Sequence, residues 1–126
     1  MQASKRAHLS RLRQSLRGLA YEIEALLPVF METTALVKGT VYEQRRKCGK
    51  PTCACATGKL HSTNVLSRSE GGRTRLMTIP SGRLVELRTL TKRYRRFRRA
   101  RARIVEIHKK MITLINELET VRRQDP

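Results

Sequence analysis

A chain of 126 residues accommodates one domain, or a small domain with an extended arm, and excludes a multidomain enzyme. Its 28 Lys and Arg against 10 Asp and Glu give a net charge of +18, beyond what solubility requires, so the expected partner is a polyanion. A hydrophobic content of 39% permits folding, while 4% aromatic residues and no Trp favour helix pairing over a thick aromatic core.

In residues 1–33, Leu9, Leu12, Leu16, Leu19, Ile23, Leu26 and Phe30 recur at alternating spacings of three and four, an uninterrupted heptad seam. The spacing predicts a coiled-coil helix from Ser4, its N-cap, to Leu27. Pro28 should end or kink it, because proline lacks an N–H and crowds the preceding turn.

Residues 34–80 change character. Three short segments, 38–47, 62–69 and 73–80, are rich in β-branched residues and partly alternating, and they predict three strands forming a β head. Glu70-Gly71-Gly72 supplies a tight hairpin turn between the last two. Between the first and second strands, Cys48, Cys53, Cys55 and His61 form a Cys-x4-Cys-x-Cys-x5-His array. Three thiolates and an imidazole are what tetrahedral zinc takes, and four protein ligands leave no open position, so a zinc ion here is expected to be structural. A metal-free turn with buried or free thiols is the other reading, and redox or nucleophilic chemistry a third. No orienting acid or oxyanion loop accompanies any Cys–His combination, and paired carboxylates at metal spacing are lacking, so the chain is not expected to be an enzyme.

Residues 81–126 open after Pro80-Ser81 with Leu84, Leu87, Leu90, Tyr94 and Phe97, then continue as a second seam of Ala100, Ile104, Ile107, Met111, Leu114, Leu118 and Val121. The two spacings of three from Tyr94 to Ala100 shift the phase as a stammer does. Equal seam lengths predict an antiparallel helical hairpin with Leu9 near Val121 and Phe30 near Ala100. The fold expected is therefore α+β: a long coiled-coil-like hairpin with an inserted three-stranded β head carrying a Cys/His knuckle. Exposure of the seams would instead drive homo-oligomerisation, for example as a four-helix dimer.

The second helix also carries the strongest charge feature. Residues 92–103 hold Lys92, Arg93, Arg95, Arg96, Arg98, Arg99, Arg101 and Arg103, with no acidic residue between Glu86 and Glu106. Tyr94, Phe97 and Ala100 take the inward stripe, so the arginines cover the remaining circumference and repel one another until an anion relieves them. Arginine suits bidentate phosphate contacts and guanine edges. In the antiparallel arrangement this tract is expected beside Arg45, Arg46, Lys47, Lys50, Arg73 and Arg75 as one basic surface. DNA is the first candidate partner, structured RNA the second and an acidic protein the third. The longest apolar run, residues 25–31, contains Pro28 and is too short to span a membrane, so a cytoplasmic, nucleoid-associated protein is expected.

The run Arg45-Arg46-Lys47-Cys48-Gly49-Lys50-Pro51 with Cys53, Cys55, Gly58 and His61, the Leu66-Ser67 strand, the turn Glu70-Gly71-Gly72-Arg73-Thr74-Arg75 and Tyr94-Arg95-Arg96-Phe97 together resemble an uncharacterised family of small basic prokaryotic proteins, often encoded beside transposases and other mobile-element genes. The resemblance covers about residues 39–97 and implies a mobile-element setting and a recurrent metal-like knuckle. Joined to the arginine tract, it leads to the expectation of a DNA-binding accessory factor in transposition or site-specific recombination, with catalysis left to a recombinase or transposase partner.

Overall fold

The computed structural model describes residues 2–47, 49–53, 58 and 60–126. Its elements in order are helix α1 (Gln2–Met31), strands β1 (Thr40–Arg46), β2 (His61–Glu70) and β3 (Arg73–Thr78), a 3-10 turn (Ser81–Arg83) and helix α2 (Leu84–Arg122). The fold is α+β, with a three-stranded antiparallel sheet of order β1-β2-β3 inserted between two helices. It divides into two compact units, residues 1–33 with 97–126, and residues 34–96, so α2 contributes to both.

In the first unit, every position of the two seams is buried or half-buried, with Leu12, Ala100 and Ile107 buried. The pairs His8–Glu117, Glu22–Arg103 and Phe30–Phe97 run in opposite directions along the chain, which makes the helices antiparallel. They also correct the expected register. His8 meets Glu117 at 3.1 Å and the Phe30 and Phe97 rings meet edge-on with centroids 5.1 Å apart, about one helical turn from a pairing of Leu9 with Val121 and Phe30 with Ala100. The phase shift at Tyr94-Phe97-Ala100 is the cause, because it brings Phe97 into the seam, where an edge-to-face aromatic pair is favourable.

Helix α1 overruns both predicted ends. Ser4 lies inside its first turn, and Pro28 lies inside its last turns. The missing N–H removes one backbone bond, and the packing of Phe30 on Phe97 holds the final turn in place.

In the second unit, β1 pairs with β2 from Thr40↔Ser67 to Arg46↔His61, and β2 with β3 from Val65↔Thr78 to Glu70↔Arg73. Leu66, Ile79 and Leu87 form the core cluster, with Val37, Val41 and Leu84 against it. One face of the sheet thus packs on the first turns of α2. The Gly71 and Gly72 φ angles of 59° and 79° give the two-residue turn the double positive φ that matches strand twist. Strand β3 stops at Thr78, short of the predicted Pro80, because Pro80 has no N–H to donate to a ladder. Gly39 (φ 140°) sits where a Cβ would lie 2.7 Å from the Ser67 carbonyl oxygen, so this close approach admits only glycine.

Candidate nucleic-acid interface and Cys/His site

The antiparallel pairing of β1 and β2 brings together residues far apart in the chain. Arg46 stands opposite His61, and the half-buried Cys53 places its Sγ 3.1 Å from His61 Nε2. A turn in which the Cys53 N–H donates to the Lys50 carbonyl at 3.1 Å directs the thiol there, with Pro51 inside the turn. Zn–S and Zn–N bonds of about 2.3 and 2.0 Å at a tetrahedral angle separate two ligands by roughly 3.5 Å. The Cys53–His61 pair is closer than that, at the distance of a direct thiol–imidazole hydrogen bond, although its donors are of the type zinc takes. Cys48 and Cys55, the other two expected ligands, lie outside the described residues. Among the described residues no group of three or more metal-ligating side chains occurs.

Arg46, Lys47, His61, Ser62 and Thr63 line an open groove of about 570 Å³. Two cations and the Thr63 hydroxyl make it suited to an anion. Arg45, the neighbour of Arg46, points to the other face by strand alternation. There Glu43 accepts hydrogen bonds from the Ser62 hydroxyl and from Arg45 Nε, the latter at 3.3 Å. These bonds, the Ser62 hydroxyl first, hold the Glu43 carboxyl below the ordinary value of 4.5. Arg45, exposed like Arg46, Lys47 and Lys50, is thus also engaged by a carboxylate of its own strand.

The β2–β3 hairpin carries Arg73 and Arg75, both exposed. Arg75 Nε lies 3.1 Å from Glu70 Oε2, and Arg68 Nη2 lies 3.8 Å from the same oxygen. Arg68 is an addition to the basic residues expected at the interface. The signal for it is the Gly71-Gly72 turn, which pairs Glu70 with Arg73 and therefore Arg68 with Arg75.

Of the arginine tract on α2, Lys92, Arg93, Arg95 and Arg96 belong to the unit of residues 34–96, and Arg98, Arg99, Arg101 and Arg103 to the other. Tyr94 and Phe97 are half-buried and Ala100 is buried, as the inward stripe requires, while Lys92, Arg96, Arg98, Arg99 and Arg101 are exposed and Arg93 and Arg95 half-buried. Among the described residues no ion pair holds Lys92, Arg93, Arg95, Arg98, Arg99 or Arg101. Arg103 differs. Its guanidinium grips Glu22 with two bonds, Nε to Oε1 at 2.5 Å and Nη2 to Oε2 at 2.8 Å. The fork raises the Arg103 pKa and lowers that of Glu22, the hydrogen bond being the larger cause for each. Arg103 therefore joins the two helices and is already neutralised.

A family model described as Domain of unknown function (DUF6788) matches residues 9–89. The chain belongs to that family. The DUF6788 match takes in the seam of α1, the Cys/His segment and the whole sheet, and ends three residues before Lys92. No curated protein and no solved structure matches this DUF6788 chain. Among the described residues no helix is long and apolar enough to cross a membrane.

Proposed function

We propose that the protein is a non-enzymatic DNA-binding accessory factor of a mobile element, acting in transposition or site-specific recombination in the cytoplasm, at the nucleoid. One observation carries the DNA-binding part: basic side chains stand on the exposed circumference of α2 with no acidic residue between Glu86 and Glu106. Like charges held on a rigid helix repel, and a phosphate backbone relieves the repulsion while releasing condensed counterions. The mobile-element setting rests on the sequence resemblance alone, and so does a recombinase or transposase as the protein partner.

In this reading the phosphate contacts come from Lys92, Arg93, Arg95, Arg96, Arg98, Arg99 and Arg101 on α2, and from Arg46, Lys47 and Lys50 beside the Cys53–His61 pair. A structural zinc ion held by Cys53 and His61 together with Cys48 and Cys55 would tie the ends of β1 and β2 and fix Arg46 and Lys47. Self-association is proposed through the helical pair, whose Val105, Ile112 and Ile115 are exposed beside the occupied seam.

Competition between duplex DNA, structured RNA of equal length and a polyacidic peptide tests the reading. Duplex DNA should displace the other two at equal charge. Displacement of DNA by RNA or by the peptide would move the basic helix to that partner.

A further inference from the structure

The β2–β3 hairpin extends past the rest of the sheet. Strand β1 reaches only as far as Thr40↔Ser67, whereas β2 and β3 continue together through Arg68↔Arg75, Ser69↔Thr74 and Glu70↔Arg73 to the Gly71-Gly72 turn. Three register pairs at about 3.4 Å per residue make a two-stranded arm about 10 Å long. Every residue of the arm is exposed. Side chains alternate across a strand, so Arg68, Glu70, Arg73 and Arg75 share one face. That face continues the one on which Leu66 packs against Leu87, so it lies on the α2 side of the sheet. The opposite face of the arm bears Ser69 and Thr74.

We infer that this arm is a β-ribbon that enters the major groove of duplex DNA and presents Arg68, Arg73 and Arg75 to guanine edges. The inference rests on the DNA-binding reading above and gives it a groove-reading element that the arginine-rich helix lacks. The B-form major groove is roughly 12 Å wide and 8.5 Å deep and admits a two-stranded ribbon. An arm of about 10 Å reaches its floor. Arginine makes the commonest specific contact there, a bidentate fork on guanine O6 and N7. Three arginines against one carboxylate leave the face positive. Glu70, within 4 Å of both Arg68 and Arg75, holds the two guanidiniums over the same face, and solvent-exposed pairs of this kind are weak enough to exchange for a base edge. Addition of a further protein strand to β3 is the rival use of a sheet edge. A six-residue edge strand bearing two arginines is the kind of edge that discourages it. The geometry also separates DNA from double-stranded RNA, whose deep, narrow major groove excludes side chains.

The test uses the full chain and three duplexes of one G·C-rich sequence: unmodified DNA, DNA carrying N7-methylguanine, and RNA. Wild-type protein should bind the methylated duplex about tenfold more weakly for each arginine–guanine fork that the methyl group blocks, and the RNA duplex more weakly still. The triple variant Arg68→Lys, Arg73→Lys, Arg75→Lys keeps the charge but not the forks. It should retain the salt dependence and lose the sensitivity to methylation, with an unchanged circular dichroism spectrum, since all three side chains are exposed. DNA binding that ignores N7 methylation, or methylation sensitivity that survives the three lysines, would overturn the ribbon while leaving DNA binding standing. Equal binding of the RNA duplex would also overturn the ribbon. Absence of any duplex binding would overturn both readings.

Discussion

The unit formed by residues 1–33 and 97–126 spreads its burial along two seams of seven positions, of which only Leu12, Ala100 and Ile107 are buried. Residues 34–96 instead concentrate it in Val65, Leu66, Ile79 and Leu87, supported by half-buried neighbours. A repeated seam tolerates truncation of one side chain because each contributes a little. A small cluster does not, since each member carries a large share of the buried apolar area. The same contrast holds for charge. The helical pair uses carboxylates to join its elements, as Glu22 does with Arg103, whereas Glu70 in the arm serves two arginines without linking it to anything else.

The largest expected effect is on the Cys/His site. Stripping metal with a chelator, or replacing Cys53 by Ser, should lower the Tm by about 10 °C or more if zinc closes the knuckle. Zinc content measured on the same preparations checks it, and an unchanged Tm would leave the cluster as the unit's sole support. Next, Leu87→Ala, at a position 2% exposed, should cost about 2–5 kcal/mol, and the half-buried Leu16→Ala about half as much. Urea unfolding of both variants decides whether the cluster is the less tolerant of the two. Gly39→Ala should cost about 1–3 kcal/mol, because the added methyl meets the Ser67 carbonyl and the backbone is held at positive φ. The smallest effect is the pH dependence of the Glu22–Arg103 pair. The folded pKa of Glu22 lies below its ordinary value of 4.5, so the unfolded chain binds the proton more readily, and the pair's contribution, complete above that value, is lost as pH falls through the folded pKa. Thermal melts through this window should show a shallower acid slope for Glu22→Gln than for wild type.

Much of this architecture is legible in the residues because it is periodic. The seams from Leu9 to Phe30 and from Ala100 to Val121 specify two paired helices, and Gly71-Gly72 specifies the hairpin. What periodicity does not carry is register across the pair, which a single aromatic contact between Phe30 and Phe97 resets by about a turn. Nor does local propensity foresee that Phe30 holds a turn of helix beyond Pro28. At the interface, charge density points to the α2 tract, but a basic residue's partner depends on distant chain. Arg103 lies 81 positions from Glu22, and the place of Arg68 beside Arg75 needs the strand register. Cys53 and His61 are legible as a pair because zinc-type ligands at short spacing converge whenever the intervening loop closes.

The exposed arginines of α2 are proposed to bind duplex DNA through its phosphates. The decisive measurement is the slope of log K against log salt for the full chain, compared with the triple variant Arg98→Gln, Arg99→Gln, Arg101→Gln. These side chains are exposed, so the variant keeps its seam. The wild-type slope should be steep and should flatten in the variant by about 0.9 for each phosphate no longer neutralised. A slope that the three substitutions leave unchanged would contradict it.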